Sequence, residues 1–326
     1  MPIETQFGFQ HFAPDARDLT AATPDLLGLL RSFVGSMPAA KPKRQWQGHG
    51  WNLLWRPHKP AGPDPDHFLQ LMFTNETLSF IDISGSGIAN RGFKQGDIKL
   101  GGAAYTQEIK DKFDNSDQHF EPGVWVHVPA TTNPSEPESV ARMGSIPHGT
   151  TINLQGEAKP ADAAKMNSLI PVSSIVPFAI GSVDDGQTGL VHFDEEKLSF
   201  VGASRTPLNR VAGLTQEQLT NPNIFLLEAN AGLTFQSVTE IKIASSPKLA
   251  AGPDVGGGVD NIAFLQGKTA PDANADTPTV TATYWLQQAT DRAGKKITQL
   301  QYSQRVLLNF ATLSWPHVTV GTLRPV

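Results

Sequence analysis

Residues 46–83 read WQGHGWNLLWRPHKPAGPDPDHFLQLMFTNETLSFIDI. Short apolar stretches within them (WNLLW, HFLQLMF and TLSFIDI) are split by Gly, Pro, Asn and Asp, the texture of strands joined by turns. The texture recurs in VWVHV, TINLQG, LTFQSV, IKIA, VTATYWLQQ, ITQLQYSQRVLLNF and HVTVGTL, and IFLLEA is read as a strand with them. Glycine (29) and proline (25) together make roughly a sixth of the chain, against a usual ~12%, which suits many short strands better than long helices. The predicted class is all-β with a minor helix. That helix is expected within residues 15–36, where Leu26, Leu27, Leu29, Leu30 and Phe33 follow the breaker Pro24 at helical spacing, and it should plug or cover a barrel. Trp46-x-Gly48-x-Gly50-Trp51 opens the first strand. Glycines two apart let a strand bend sharply or let a second backbone approach, as the closure of a small barrel requires.

A length of 326 residues sets an expectation of two domains. Internal similarity points the same way. Asn75-Glu-Thr-Leu-Ser-Phe80 aligns with Asn230-Ala-Gly-Leu-Thr-Phe235, and Gly123-Val-Trp125 with Thr283-Tyr-Trp285. Ser145-Ile-Pro147-His148-Gly-Thr150 aligns with Ser314-Trp-Pro316-His317-Val-Thr319, and the three matches keep their order. The expected architecture is therefore two tandem related β-barrel-like units packed by pseudo-twofold symmetry. Residues 1–172 would form the first, with the helix, and 173–326 the second. The boundary would lie between Ala164 and Phe178, where Pro171 and Pro177 bracket a serine pair.

The formal charge is -5, with basic residues scattered, so no footprint for nucleic acid or an anionic membrane is expected, and a small-molecule partner is. No cysteine is present, which excludes disulfides, thiolate metal sites, a Cys nucleophile and covalently attached haem. Met1 to Gln10 lacks the features of a signal peptide, and no apolar run approaches ~18 residues, so the expected compartment is the cytoplasm. A homodimer through an exposed strand is a further expectation.

Within Ser-x-Pro-His-x-Thr, proline removes a backbone donor and forces an edge or a bulge just before the histidine. Residues two apart share a strand face, so Thr150 should lie beside His148 and Thr319 beside His317, each hydroxyl within reach of one ring nitrogen. The other nitrogen is then open to a metal or haem iron. The plain alternative is a structural turn histidine. Arg142 would share the face of His148 and could meet a carboxylate or a propionate; its alternative is a solvated strand-end arginine. His49, His58 and His67 flank a proline-rich stretch whose spacing is no metal signature, so an exposed loop is expected. No G-x-S-x-G elbow occurs, and Gly256-Gly-Gly258 sits in a loop rather than a phosphate-binding turn. Trp55, Trp125, Trp285, Trp315, Phe68 and Phe80 either line a ligand cavity or fill a core.

Several strings resemble a family of bacterial and fungal proteins described as haem-binding: Trp46-x-Gly48-x-Gly50-Trp51-Asn52 with Arg56-Pro57, Thr74-Asn75-Glu76-Thr77-Leu78, Asn90-Arg91-Gly92, Glu121-Pro122-Gly123-x-Trp125, Val128-Pro129-Ala130-Thr131-Thr132 and Ser145 to Thr150. Leu300 to Gln304 and Ser314 to Val318 resemble it too, so the likeness spans nearly the whole chain. The Trp-x-Gly-x-Gly opening is also similar to nitrobindin-like haem barrels, which ligate haem through a histidine in a late strand. The resemblance implies non-covalent haem b with His148 or His317 as axial ligand, Arg142 or Arg91 near the propionates, and Thr150 and Trp315 among the cofactor-binding residues. It implies no particular reaction; gas binding and peroxidase-like oxidation are both compatible with an open haem iron. Two other classes compete: a haem-free barrel carrying a small apolar ligand, and a cofactor-independent isomerase or dehydratase with His148 as base beside Glu121 or Glu157.

Overall fold

The alternation of side chains along long strands organises the computed structural model, which describes residues 25–35, 43–59, 65–85, 87–246, 257–267 and 273–326. The strands are β1 (Lys43–Pro57), β2 (His67–Asp82), β3 (Ile88–Gly92), β4 (Gln95–Asp111), β5 (Asp117–Val128), β6 (Ser139–Ile146), β7 (Thr150–Ala161), β8 (Phe178–Ala179), β9 (Thr234–Ala244), β10 (Gly258–Asn261), β11 (Val280–Thr290), β12 (Lys296–Phe310) and β13 (Leu313–Pro325). Ten of them run in the order β1-β2-β4-β5-β6-β7-β9-β11-β12-β13, each antiparallel to the next. β13 then pairs back onto β1 from Trp46↔Pro325 to Leu54↔His317, closing the sheet into one barrel. The short β3, β8 and β10 attach to β4, β13 and β7.

The predicted all-β barrel is present, but the two expected units share a single one. β7 pairs with β9, and β13 with β1, so both halves contribute strands to one closed ladder. Nor do the aligned motifs occupy equivalent places. Asn75–Phe80 lies inside β2, whereas Asn230 follows a helix, α3 (Ile224–Ala229), formed by the IFLLEA string read as a strand. A six-residue apolar run is compatible with either a buried helix segment or a strand, and here it packs on the barrel's outside as a helix. Ser145–Thr150 spans the turn from β6 to β7, while Ser314–Thr319 is continuous within β13.

The plug has the expected place at one end of the barrel. A 3-10 turn at Gly28–Leu30 runs into α1 (Arg31–Val34), and Gly35 ends it at φ 84°. Residues 15–24 of the predicted helix, and Pro253 to Gly256 of the predicted loop, lie outside the described residues. Leu27, Leu30, Phe33 and Val34 are buried with the inward-facing Trp46, Phe80, Trp125 and Leu300. Phe33 stacks on Phe80 at 4.6 Å, and its carbonyl accepts from Trp46 Nε1 at 3.0 Å.

Residues 162–233 cover part of the outer wall. They carry a 3-10 helix at Ala163–Leu169, then α2 (Gln216–Thr220) and α3. α2 starts at a capping box in which Thr215 and Gln218 satisfy each other's backbone N–H. Against this layer pack outward residues of the wall, among them Trp51, Leu53, Trp55, Leu71, Trp285 and Val320. Trp55 Nε1 donates to Ile175 O at 2.8 Å, tying the layer to β1. The barrel wall is thus buried on both faces there, which gives two apolar cores instead of one. Among the described residues no helix is long and apolar enough to cross a membrane.

Phe33 fills the plugged end, so Phe33→Ala should lower unfolding free energy by about 3–5 kcal/mol, read by urea denaturation. A loss below about 1 kcal/mol would mean that the plug is not part of the cooperative core.

Candidate functional site

The register fixes which side chains meet inside the barrel. Tyr105 lies opposite Gly123, and Tyr302 opposite Gly321. A Cβ at Gly123 would come within 2.6 Å of the Tyr105 ring, and one at Gly321 within 2.5 Å of the Tyr302 ring. These glycines give two tyrosines the room to cross the interior. Both end on buried carboxylates: Tyr105 Oη donates to Glu121 Oε1, and Tyr302 Oη donates to Glu76 Oε2 at 2.5 Å.

Arg142 ties these groups together. Its Nη2 donates to Glu121 Oε1 at 2.7 Å, Nε to Tyr105 Oη at 3.0 Å, and Nη1 to Tyr284 Oη at 2.5 Å and Gln304 Oε1 at 2.7 Å. The guanidinium is 1% exposed and each of its three nitrogens donates to a partner in the barrel. Arg142 therefore meets a carboxylate of its own chain in the barrel centre. That removes both the solvated strand-end reading and the propionate role. Burial alone would raise the carboxyl of Glu121, but the Arg142 charge and the His119 bond override it and hold the group down to about 2. Glu76 has no such cation; burial pushes it up to about 7 against the bonds from Tyr302 and Thr74. Tyr284 is raised to about 12 by burial. All three tyrosines of the chain belong to this belt.

Beyond the belt lies the end opposite the plug, where the turns 112–116 and 147–149 are found. Inward residues there, Leu54, Ile146, Val306, Gln304, His119 and His317, are only half-buried, whereas Leu300 and Leu323 at the plugged end are fully buried. The inward side chains are fully buried at one end of the barrel and only half-buried at the other, the open end, where they leave a partly exposed recess no deeper than their own side chains. His317 sits in the recess, directly across from Leu54 and Val306. Its Nε2 donates to Asn52 Oδ1 at 2.6 Å, and Thr319 Oγ1 donates to the same oxygen at 3.0 Å. The predicted neighbour Thr319 is also 3.3 Å from Nε2. Burial, then the charges that His119 and His148 would carry, push His317 down to about 3, so its ring is neutral. Its second ring nitrogen has no hydrogen-bond partner among the described residues.

The other predicted residues divide. His148 lies exposed in the β6–β7 turn, where Nε2 reaches Gln118 O at 3.0 Å and the ring is 6.0 Å from that of His119. Pro147 ends β6, so the strand does not stay regular and the turn carries the histidine away from the Arg142 face. Thr150 Oγ1 donates to Asn261 Oδ1 at 3.0 Å instead of serving His148. Trp315 stacks on Phe310 at 4.7 Å in the outer core, not beside His317. Arg91 is in β3, and its side chain lies outside the described residues. Glu121 is committed to Arg142 and His119, and Glu157 pairs with Lys159 at 2.5 Å, so neither supports His148 as a base. His67 is not in an exposed loop: it is buried against Phe193, Trp315 and Trp55. Among the described residues no three His, Asp or Glu side chains are grouped to hold a metal ion.

Asn52, His119, Glu76 and the tyrosines escaped sequence reading as site residues. His119 and Glu121, two apart on one strand, carried a usable signal, as did the scarcity of tyrosine. No family model and no curated protein matches the chain. Among solved structures, Rv2717c from M. tuberculosis is similar over 93% of this chain and 99% of that one, at 12% identity and a TM-score of 0.39.

Two changes probe the belt. Arg142→Leu leaves Glu121 charged and unpaired, and should cost about 3–5 kcal/mol of stability, largely regained on adding Glu121→Leu. Glu76 binds its proton more tightly folded (about 7) than unfolded (the ordinary 4.5), so its contribution is full below pH ~4.5 and fades as pH rises through ~7. Glu76→Gln should flatten that fall in urea-derived stability between pH 4.5 and 7. An unchanged slope would place the titration elsewhere.

Proposed function

We propose that the protein binds haem b non-covalently in the recess at the open end of the barrel, with His317 as axial ligand. The observation that carries the reading is the placement of His317: one ring nitrogen is held by Asn52 and the other has no hydrogen-bond partner among the described residues, while burial pushes the group down to about 3 and so favours the neutral ring. Iron ligation requires a neutral ring, and a hydrogen bond from the opposite nitrogen orients it. The donor set fits the group. Leu54, Ile146 and Val306 offer a half-exposed apolar wall beside the imidazole. Between the two candidate ligands, His317 is favoured over His148, which stands in an exposed turn. The bound group would supply an iron able to take a diatomic gas or peroxide. The chain's own residues would orient the ligand through Asn52 and Thr319.

Titration with hemin, followed by absorbance, tests this. A Soret band saturating near one equivalent is expected; His317→Ala should abolish it and His148→Ala should leave it. Because His317 stays neutral down to about 3, the band should persist at pH 5, where an ordinary imidazole with pKa ≈ 6.5 is protonated. No band, or one indifferent to His317→Ala, would overturn the assignment and favour a haem-free apolar ligand in the same recess.

A further inference from the structure

The Trp46-x-Gly48-x-Gly50-Trp51 motif has a second face. Gly48 and Gly50 turn their missing side chains inward, toward Leu323 and Glu76, but Trp51 points to the outer wall. There it lines a groove of about 510 Å³ between the barrel and α3. Trp51, Phe73 and Val320 form the barrel side; Phe225, Leu226 and Ala229 form the helix side. The three aromatic rings make a continuous surface, with Trp51 4.7 Å from Phe73 and 5.4 Å from Phe225, and Phe73 5.6 Å from Phe225. Phe73 and Phe225 are half-exposed on either side of the fully buried Trp51, so they form the open part of this surface.

Two polar groups on the groove lack partners. Trp51 Nε1 is buried with no acceptor, which is costly for a strong donor. Arg324 stands exposed at the rim and forms no ion pair or side-chain hydrogen bond among the described residues. The nearby acid on α3, Glu228, accepts from Gln218 instead. Arg324 thus sets one unpaired positive charge at the rim, beside Gln47, His49 and Thr322, and Phe73 and Phe225 present an aromatic floor. An occupant must be flat and apolar at one end and anionic at the other.

We propose that this groove binds a small aromatic monocarboxylate, its ring against Phe73 and Phe225 and its carboxylate on Arg324. The site is separate from the recess of His317 and does not rest on the haem reading.

Isothermal titration of the full chain with 2-naphthoate, and with 2-naphthamide as the neutral isostere, tests the proposal. Saturable binding of 2-naphthoate is expected, weakened at least tenfold by Arg324→Gln, with 2-naphthamide affinity unchanged by that substitution. Ala229→Phe, which fills the groove, should abolish binding of both. Arg324 is exposed, so its variant should fold as the parent does. No binding of 2-naphthoate, or equal affinity in Arg324→Gln, would overturn the proposal. Hemin titration of Arg324→Gln should match the parent, so a failure of one site is distinguishable from a failure of the other.

Discussion

An arginine and a glutamate buried together at the centre of a barrel constrain everything around them. Each charge taken from water alone costs several kcal/mol, so the pair persists only with its remaining hydrogen-bonding capacity filled. Arg142 and Glu121 draw their further hydrogen bonds from Tyr105, Tyr284, Gln304 and His119. Tyr105 and Tyr302 reach the axis over facing positions that carry no side chain, and Gly123 and Gly321 supply that space. The belt in turn divides the interior. On one side the plug packs against Trp46, Phe80 and Trp125; on the other the wall ends in a half-open recess around His317.

The division also explains how a long β-ladder remains specific in register. A slip of one residue would turn Arg142 and Glu121 outward and bring their neighbours into the core. The outer layer adds a second requirement, because Trp51, Trp55 and Trp285 face the opposite way and are buried too. With apolar groups on one face and a charged network on the other, neither face tolerates exchange. The cost is an uneven exterior. Where residues 162–233 pass over the wall they bury it, and where α3 stands off they leave the aromatic groove.

The polar belt and the recess have complementary electrostatics. Glu121 keeps its negative charge because Arg142 neutralises it, and His119 bonds to its free oxygen. His317, a step nearer the opening, meets no anion among the described residues and stays neutral. Opposite protonation outcomes thus arise within one interior, decided by whether a buried group finds a counter-charge.

Strand content, the plug and the presence of a barrel were determined by the sequence itself. Period-two apolar runs bounded by Gly and Pro can satisfy their backbone only in sheets, and Leu27, Leu30 and Phe33 can share a face only in a helical turn. The pairing of His317 with Thr319 followed from the same local geometry. Only the tertiary structure decided that the two halves close one ladder, since β7–β9 and β1–β13 pairing depends on partners far apart in the chain. It also decided that IFLLEA is helical, because a short apolar run takes the form of the surface it packs on. Asn52 and Glu121 acquired their roles the same way: a hydrogen bond or a counter-charge across a barrel is a property of register, and local sequence does not carry it.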